Sequence, residues 1–201
     1  MASGLARLGS CAVQSALNGS SCTVDSFWKE QACVIALFRR FGCKFCRLEA
    51  ANLSSMKPAL DKRRIRLIGI SFDKDGVKEF IDGNFFKGEL YLDPERKTYQ
   101  ALSFKRVSMC SGFRSLFSKA GRKLNSEANA ANISGNVSGD GWQTGGLLVV
   151  GKGGDILYHF AQEQVVNHPD YAKIMQVLQI DPNEVPKMNA TACGDETCTK
   201  P

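Results

Sequence analysis

The strongest hydropathy signal in the chain is a run with no polar residue. Ala32-Cys33-Val34-Ile35-Ala36-Leu37-Phe38 is short, continuous and apolar, the pattern of a strand buried on both faces of a sheet. Arg39-Arg40-Phe41-Gly42 breaks it. From Cys43 the spacing turns helical toward Lys62, with Leu48, Leu53, Met56 and Leu60 on one face, and Pro58 predicts a kink or interruption near the end. Further strands are predicted at Arg66–Phe72 and Glu89–Leu92, separated by a short helix carrying Val77, Phe80 and Ile81. Asp93-Pro94-Glu95 reads as a helix start, with Asp as N-cap and Pro at the first helical position. Ser111–Leu124 predicts a helix, and Asn125–Gly141, rich in Asn, Ser and Gly, predicts a long surface loop. Gly146–Val150, a glycine turn and Asp155–Phe160 read as a β-hairpin, and Pro169–Ile180 as a closing helix.

This order is an α/β plan with a mixed sheet flanked by helices, preceded by an N-terminal extension. It sets the helix that begins at Cys43 at the carboxyl end of a central strand, where open α/β sheets place their ligands. Residues 1–180 read as one domain, and the polar stretch 181–201 as a flexible tail.

Charge and composition narrow the class. The 201 residues carry 26 basic and 20 acidic side chains, a net charge of +6, and 43% are hydrophobic. That is globular chemistry and excludes a wholly disordered chain. Ala32–Phe38 is far short of the ~20 residues that span a bilayer, and the first residues lack the apolar core of a secretory peptide. The expected location is the cytosol, with no transmembrane segment. Most of the eight cysteines are then expected to be free thiols. Basic clusters at Lys62-Arg63-Arg64 and Arg114–Lys123 lack interleaved aromatic residues, so nucleic acid is not expected as a partner.

Cys43-Lys44-Phe45-Cys46 is the sharpest chemical signal. A Cys-x-x-Cys at a strand-to-helix junction puts the first sulfur at the helix N-terminus, where free N–H groups and the dipole favour a thiolate. Arg39, Arg40, Lys44 and Arg47 add positive charge. Cys43 is expected to be the exposed attacking thiolate, and Cys46, one turn inside, the buried resolving thiol. Two competing readings are a pair of inert buried thiols and a zinc site completed by Cys193 and Cys198. No bound metal or flavin is expected.

The segment around this motif, with Asn52-Leu53-Ser54-Ser55, Gly88–Asp93, Gly135–Asp140 and Gln143–Val150, resembles the prostamide/prostaglandin F synthases, a branch of the peroxiredoxin-like proteins with a thioredoxin-like fold. The resemblance implies reduction of the endoperoxide of prostaglandin H or its ethanolamide to the F-type product, with Cys43 and Cys46 catalytic. NADPH is the implied ultimate reductant. No Gly-x-Gly-x-x-Gly follows a strand, so electrons are expected to arrive indirectly, through thioredoxin, in a monomeric enzyme. Arg39, Arg40 and Lys44 are expected to support the departing alkoxide. Thr144-Gly145-Gly146 replaces the cis-proline segment of thioredoxins, so Thr144 and Gly145 are expected to let a bulky substrate approach the backbone. Ala36 and Arg40 replace the Pro and Thr of typical peroxiredoxins. Two alternatives stay open: a general thiol peroxidase and a non-enzymatic redox sensor.

Overall fold

The computed structural model describes residues 2–186, apart from the side chains of Ala2, Ser3, Met109, Cys110, Ser111 and Phe113. The apolar run forms β3 (Cys33–Phe38), with all six residues buried. It lies between β4 (Arg66–Ser71), parallel to it, and β6 (Gly146–Val150), antiparallel to it. Outward lie β5 (Glu89–Leu92), parallel to β4, and β7 (Ile156–Ala161), antiparallel to β6. Two short strands, β1 (Ala12–Ser15) and β2 (Ser21–Thr23), complete the seven-stranded order β2-β1-β5-β4-β3-β6-β7. The N-terminal extension is therefore part of the sheet. β1 buries a single side chain, Val13, which is too little alternation to read from sequence.

Alternate residues of β3 point to opposite faces. Val34, Ala36 and Phe38 pack under α2 (Lys44–Ser55), α3 (Lys57–Lys62) and α4 (Val77–Asp82). Cys33, Ile35 and Leu37 pack on the other face with Leu8 of α1 (Ala2–Gly9) and Tyr99 of α5 (Lys97–Ala101). Burial pushes the Cys33 thiol up to about 12, so it is inert packing. The Tyr99 hydroxyl lies 2.7 Å from the Phe38 carbonyl oxygen and 3.2 Å from that of Ile70, fastening the carboxyl ends of β3 and β4 where the site begins.

Several boundaries move. The long helix breaks at Met56, and Pro58 sits in the first turn of α3, where its missing N–H has no partner to lose. Asp93 is not the immediate N-cap of α5. The chain first turns through Pro94 and Glu95, and the Asp93 carboxylate reaches across to the N–H groups of Lys97 (3.2 Å) and Thr98 (2.8 Å). The basic segment forms two helices, α6 (Met109–Leu116) and α7 (Lys119–Ala130), separated by Ser118, whose hydroxyl accepts from the Gly121 N–H. The expected loop from Asn125 is thus helical as far as Ala130, because Leu124 and Ala128 are buried against the core. The closing helix shortens to α8 (Tyr171–Val177), capped by Asp170. The start of the expected tail packs onto the domain: Val185 is buried and Glu184 pairs with Arg63 at 2.7 Å. Residues 187–201, with Cys193 and Cys198, lie outside the described residues. Among the described residues no helix is long and apolar enough to cross a membrane.

Candidate active site

The link from β3 to α2 is held at several points. The Phe41 N–H donates to Asp73 Oδ2 (2.9 Å), tying the link to the end of β4. The Asn136 N–H donates to the Gly42 carbonyl (2.7 Å). Gly42 has no room for a side chain, since a Cβ there would stand 2.1 Å from Asn136 Oδ1. Cys43 then caps α2 with extended backbone, its carbonyl accepting from the Arg47 N–H at 3.0 Å. Its sulfur therefore sits at the positive end of the helix, as the sequence implies.

Cys43 is only 6% exposed and Cys46 3%, so the expected contrast in surface exposure is absent. The distinction is access: Cys43 lines a cleft of about 380 Å3 and Cys46 does not. Arg39, itself buried, donates from Nη2 to Cys43 Sγ at 3.0 Å. Its other bonds run to the carbonyls of Gly141 (3.1 Å) and Val165 (3.3 Å). The Cys43 thiol is held well below its ordinary range, first by hydrogen bonding from Cys46 and then by the charge of Arg39, against the opposing effect of burial. Cys46 is held well above its range by that same interaction and by burial. The pair is thus biased toward a thiolate at Cys43 and a protonated thiol at Cys46, both reduced.

The expected basic residues divide. Arg39, Arg40 and Lys44 line the cleft. Lys44 Nζ also donates to Asn125 and Asn129 of α7, and Arg40 Nη1 to the Ser138 carbonyl. Arg47 is drawn away into the scaffold, donating to the Phe41 and Ser134 carbonyls and pairing with Glu79 at 2.7 Å. Thr144 and Gly145 do not line the cleft, which corrects the expectation for both. Thr144 is fully buried, its hydroxyl donating to the Lys105 carbonyl at 2.7 Å. Gly145 is glycine because a Cβ would stand 2.0 Å from the Leu37 carbonyl oxygen. Main-chain crowding, rather than substrate approach, sets that position.

The sequence also offers Phe41, Phe45, Phe104, Phe113 and Trp142 as aromatic residues for an apolar pocket. Phe45 and Trp142 line the cleft, whereas Phe41 and Phe104 pack in the cores on either side of the sheet. The Phe113 side chain lies outside the described residues. Leu116, Val137 and Val165 complete an apolar wall that sequence reasoning did not identify. Also missed are Glu49 and His168, both buried, Glu49 within electrostatic reach of the sulfurs and His168 of Arg39, with His168 Nδ1 3.6 Å from Glu49 Oε2. Neither stands in a readable motif.

The chain is 42% identical over 197 residues to the prostamide/prostaglandin F synthase of Sus scrofa, covering 98% of each chain. It is 44% identical over 177 residues to that of Homo sapiens, covering 88% of this chain and 89% of the relative. The chain belongs to the prostamide/prostaglandin F synthase family. It is accordingly a thiol oxidoreductase. Residues 52–164 also match the AhpC/TSA antioxidant enzyme family, a match that begins after the Cys43–Cys46 pair. Among solved structures, the bacterioferritin comigratory protein of Xanthomonas campestris superposes with a TM-score of 0.58 at 15% identity, covering 87% of this chain and 93% of that one. Peroxidoxin BcpB of Mycobacterium tuberculosis gives 0.55 at 13% identity, covering 84% and 89%. These establish the thioredoxin-like, peroxiredoxin-type fold.

Proposed function

We propose that this protein reduces the endoperoxide bridge of prostaglandin H or its ethanolamide to the F-type diol, with Cys43 and Cys46 as the redox pair. The observation that carries the reading is Arg39 donating to Cys43 Sγ at 3.0 Å beside an apolar cleft, in a chain with near full-length similarity to prostamide/prostaglandin F synthases. About 380 Å3 falls within the range of lipid-sized ligand sites. Phe45, Leu116, Val137 and Trp142 offer hydrocarbon contacts, while Arg39, Arg40 and Lys44 supply positive charge at the sulfur end.

In this reading the Cys43 thiolate attacks one endoperoxide oxygen. An S–O bond forms, the O–O bond breaks, and the second oxygen departs as an alkoxide in the field of the basic residues, where it takes up one proton to become the first hydroxyl. Cys46 then attacks the Cys43 sulfur; the S–S bond forms, the S–O bond breaks, and the first oxygen leaves as the second hydroxyl. Two electrons have passed from the sulfurs to the lipid. No glycine-rich loop of the kind that cradles a dinucleotide pyrophosphate opens α2, and Asn136 packs against Gly42 at the β3–α2 junction, which favours an indirect supply of electrons. The reductant of the disulfide is therefore taken to be thioredoxin, fed by NADPH in the cytosol and acting on a monomeric enzyme.

The test is NADPH oxidation with thioredoxin and its reductase, offering prostaglandin H endoperoxide and hydrogen peroxide in parallel. Preference for the endoperoxide with an F-type product, abolished in Cys43→Ser, is expected. Preference for hydrogen peroxide would make the protein a general thiol peroxidase. Oxidation without sustained turnover would make it a redox sensor.

A further inference from the structure

Arg39 is a guanidinium buried in the core, and among the described residues no carboxylate forms an ion pair with it; its charged acceptor is the Cys43 sulfur. A buried cation without a counter-charge is strongly unfavourable. In the dithiol state the Cys43 thiolate provides that charge. In the disulfide state it is gone, and Arg39 is left facing neutral sulfur.

Glu49 is the acid placed to replace it. It lies on α2 three residues after Cys46, on the same helical face, and is 6% exposed. Burial pushes its carboxyl up to about 8, Arg39 pulls it down and the Cys43 thiolate pushes it up. The other titratable groups that act on Glu49 and Arg39 are the two sulfurs, His168 and Tyr171, with Glu127 of α7 acting on Tyr171. His168, 3.6 Å away, is held down to about 4 by burial and Arg39, and is neutral. The Tyr171 hydroxyl is held well above its ordinary range by burial. Cys46 is a protonated thiol.

The chemistry leaves one proton to be found. A thiolate, a thiol and a peroxide bond give a disulfide and two hydroxyls. The Cys46 thiol provides one of the two protons required, and Cys43, already ionised, provides none. We propose that Glu49 holds the missing proton while the pair is reduced and releases it when the Cys43–Cys46 disulfide forms, its carboxylate then replacing the thiolate as the counter-charge of Arg39. The buried site keeps the same net charge through the cycle. Glu49 acts through the sulfurs and Arg39, as a positioning residue. The inference rests on the pair cycling between dithiol and disulfide, and not on the identity of the peroxide.

Redox titration of the purified protein in dithiol/disulfide buffers across the neutral range tests this without any lipid. Wild type is expected to take up two protons per electron pair, so at fixed potential each pH unit changes the reduction equilibrium about 100-fold, against about tenfold for Glu49→Gln. Measured against the buffer couple, which itself takes up two protons, wild type stays level with pH and Glu49→Gln changes about tenfold per unit. One proton in wild type, or two in Glu49→Gln, would overturn the proposal. Glu49→Asp, which keeps an ionisable group, is expected to restore two. If Glu49→Gln fails to fold, infrared difference spectra of wild type serve instead. Oxidation should remove a protonated-carboxyl band and create a carboxylate band, and no carboxyl change would refute the assignment. Failure to form a Cys43–Cys46 disulfide at all would defeat the thiol mechanism itself, a distinguishable outcome.

Discussion

Arg39→Met tests the electrostatic core of the site most directly. In the structure Arg39 gives Cys43 Sγ one short, buried, charge-assisted hydrogen bond of 3.0 Å. Such bonds contribute about 1.5–3 kcal/mol, and one pKa unit is about 1.4 kcal/mol of differential stabilisation. Removing Arg39 is therefore expected to raise the Cys43 thiol by about 1–2 units. The Cys46 thiol, which contributes more to the depression, stays in place. The assay is the pH dependence of iodoacetamide alkylation, read at the Cys43 peptide by mass spectrometry so that the other thiols do not contribute. Arg39→Lys should fall between wild type and Met. It keeps the charge but loses the fork that also reaches the Gly141 and Val165 carbonyls. An alkylation midpoint unchanged in Arg39→Met would show that the guanidinium does not stabilise the thiolate, and the mechanism built on it would fall.

Three further outcomes follow from particular contacts. Trp142→Ala opens the apolar wall of the cleft and should raise KM for a lipid endoperoxide about tenfold while leaving hydrogen peroxide kinetics unchanged; a burial loss of about 1.5 kcal/mol is of that size, and equal effects on both substrates would place Trp142 outside the binding surface. Tyr99→Phe removes the hydroxyl beside the Phe38 and Ile70 carbonyls, with an expected loss of about 1–2 kcal/mol in urea unfolding. No loss would mean that water satisfies both oxygens. The Glu49 carboxyl is raised from 4.5 to about 8 in the folded chain. Its contribution to stability is then complete below about 4.5 and is lost as pH rises through about 8. Wild type should lose Tm relative to Glu49→Gln across that window, and parallel pH profiles would contradict the burial argument.

What the sequence displays well is whatever a single element decides by itself. β3 is legible because both of its faces are buried, and the Cys43 position because strand, break and helix follow one another directly. What it hides is decided across the fold. Asn125 and Asn129 look like loop residues until Lys44, far away in sequence, is seen donating to both from α2. Gly145 invites a substrate-based reading, yet its lack of a side chain is demanded by the Leu37 carbonyl. Arg39 and Arg47 are equally basic in sequence, but one turns to the sulfur and the other to Glu79. Glu49 sits in an ordinary amphipathic helix, and only its burial beside His168 makes it chemically unusual. Asp93 carries a genuine capping signal whose distance to its helix depends on the intervening turn.

The two-faced burial of β3 also shapes how this protein can change over time. Val34, Ala36 and Phe38 share a layer with Cys43 and α2, whereas Ile35 and Leu37 share theirs with α1 and α5. Neighbouring codons thus report to different masters: one set is constrained by chemistry as well as folding, the other, Tyr99 and its hold on the strand ends apart, chiefly by folding. An Ile35→Val change, worth about 0.5–1.5 kcal/mol, draws on stability while leaving the sulfur geometry alone, and gains in the far layer can be accumulated the same way. Drift, or a laboratory selection for robustness, therefore has the far side of the sheet as its open ground, with the thiol side free to specialise for a substrate.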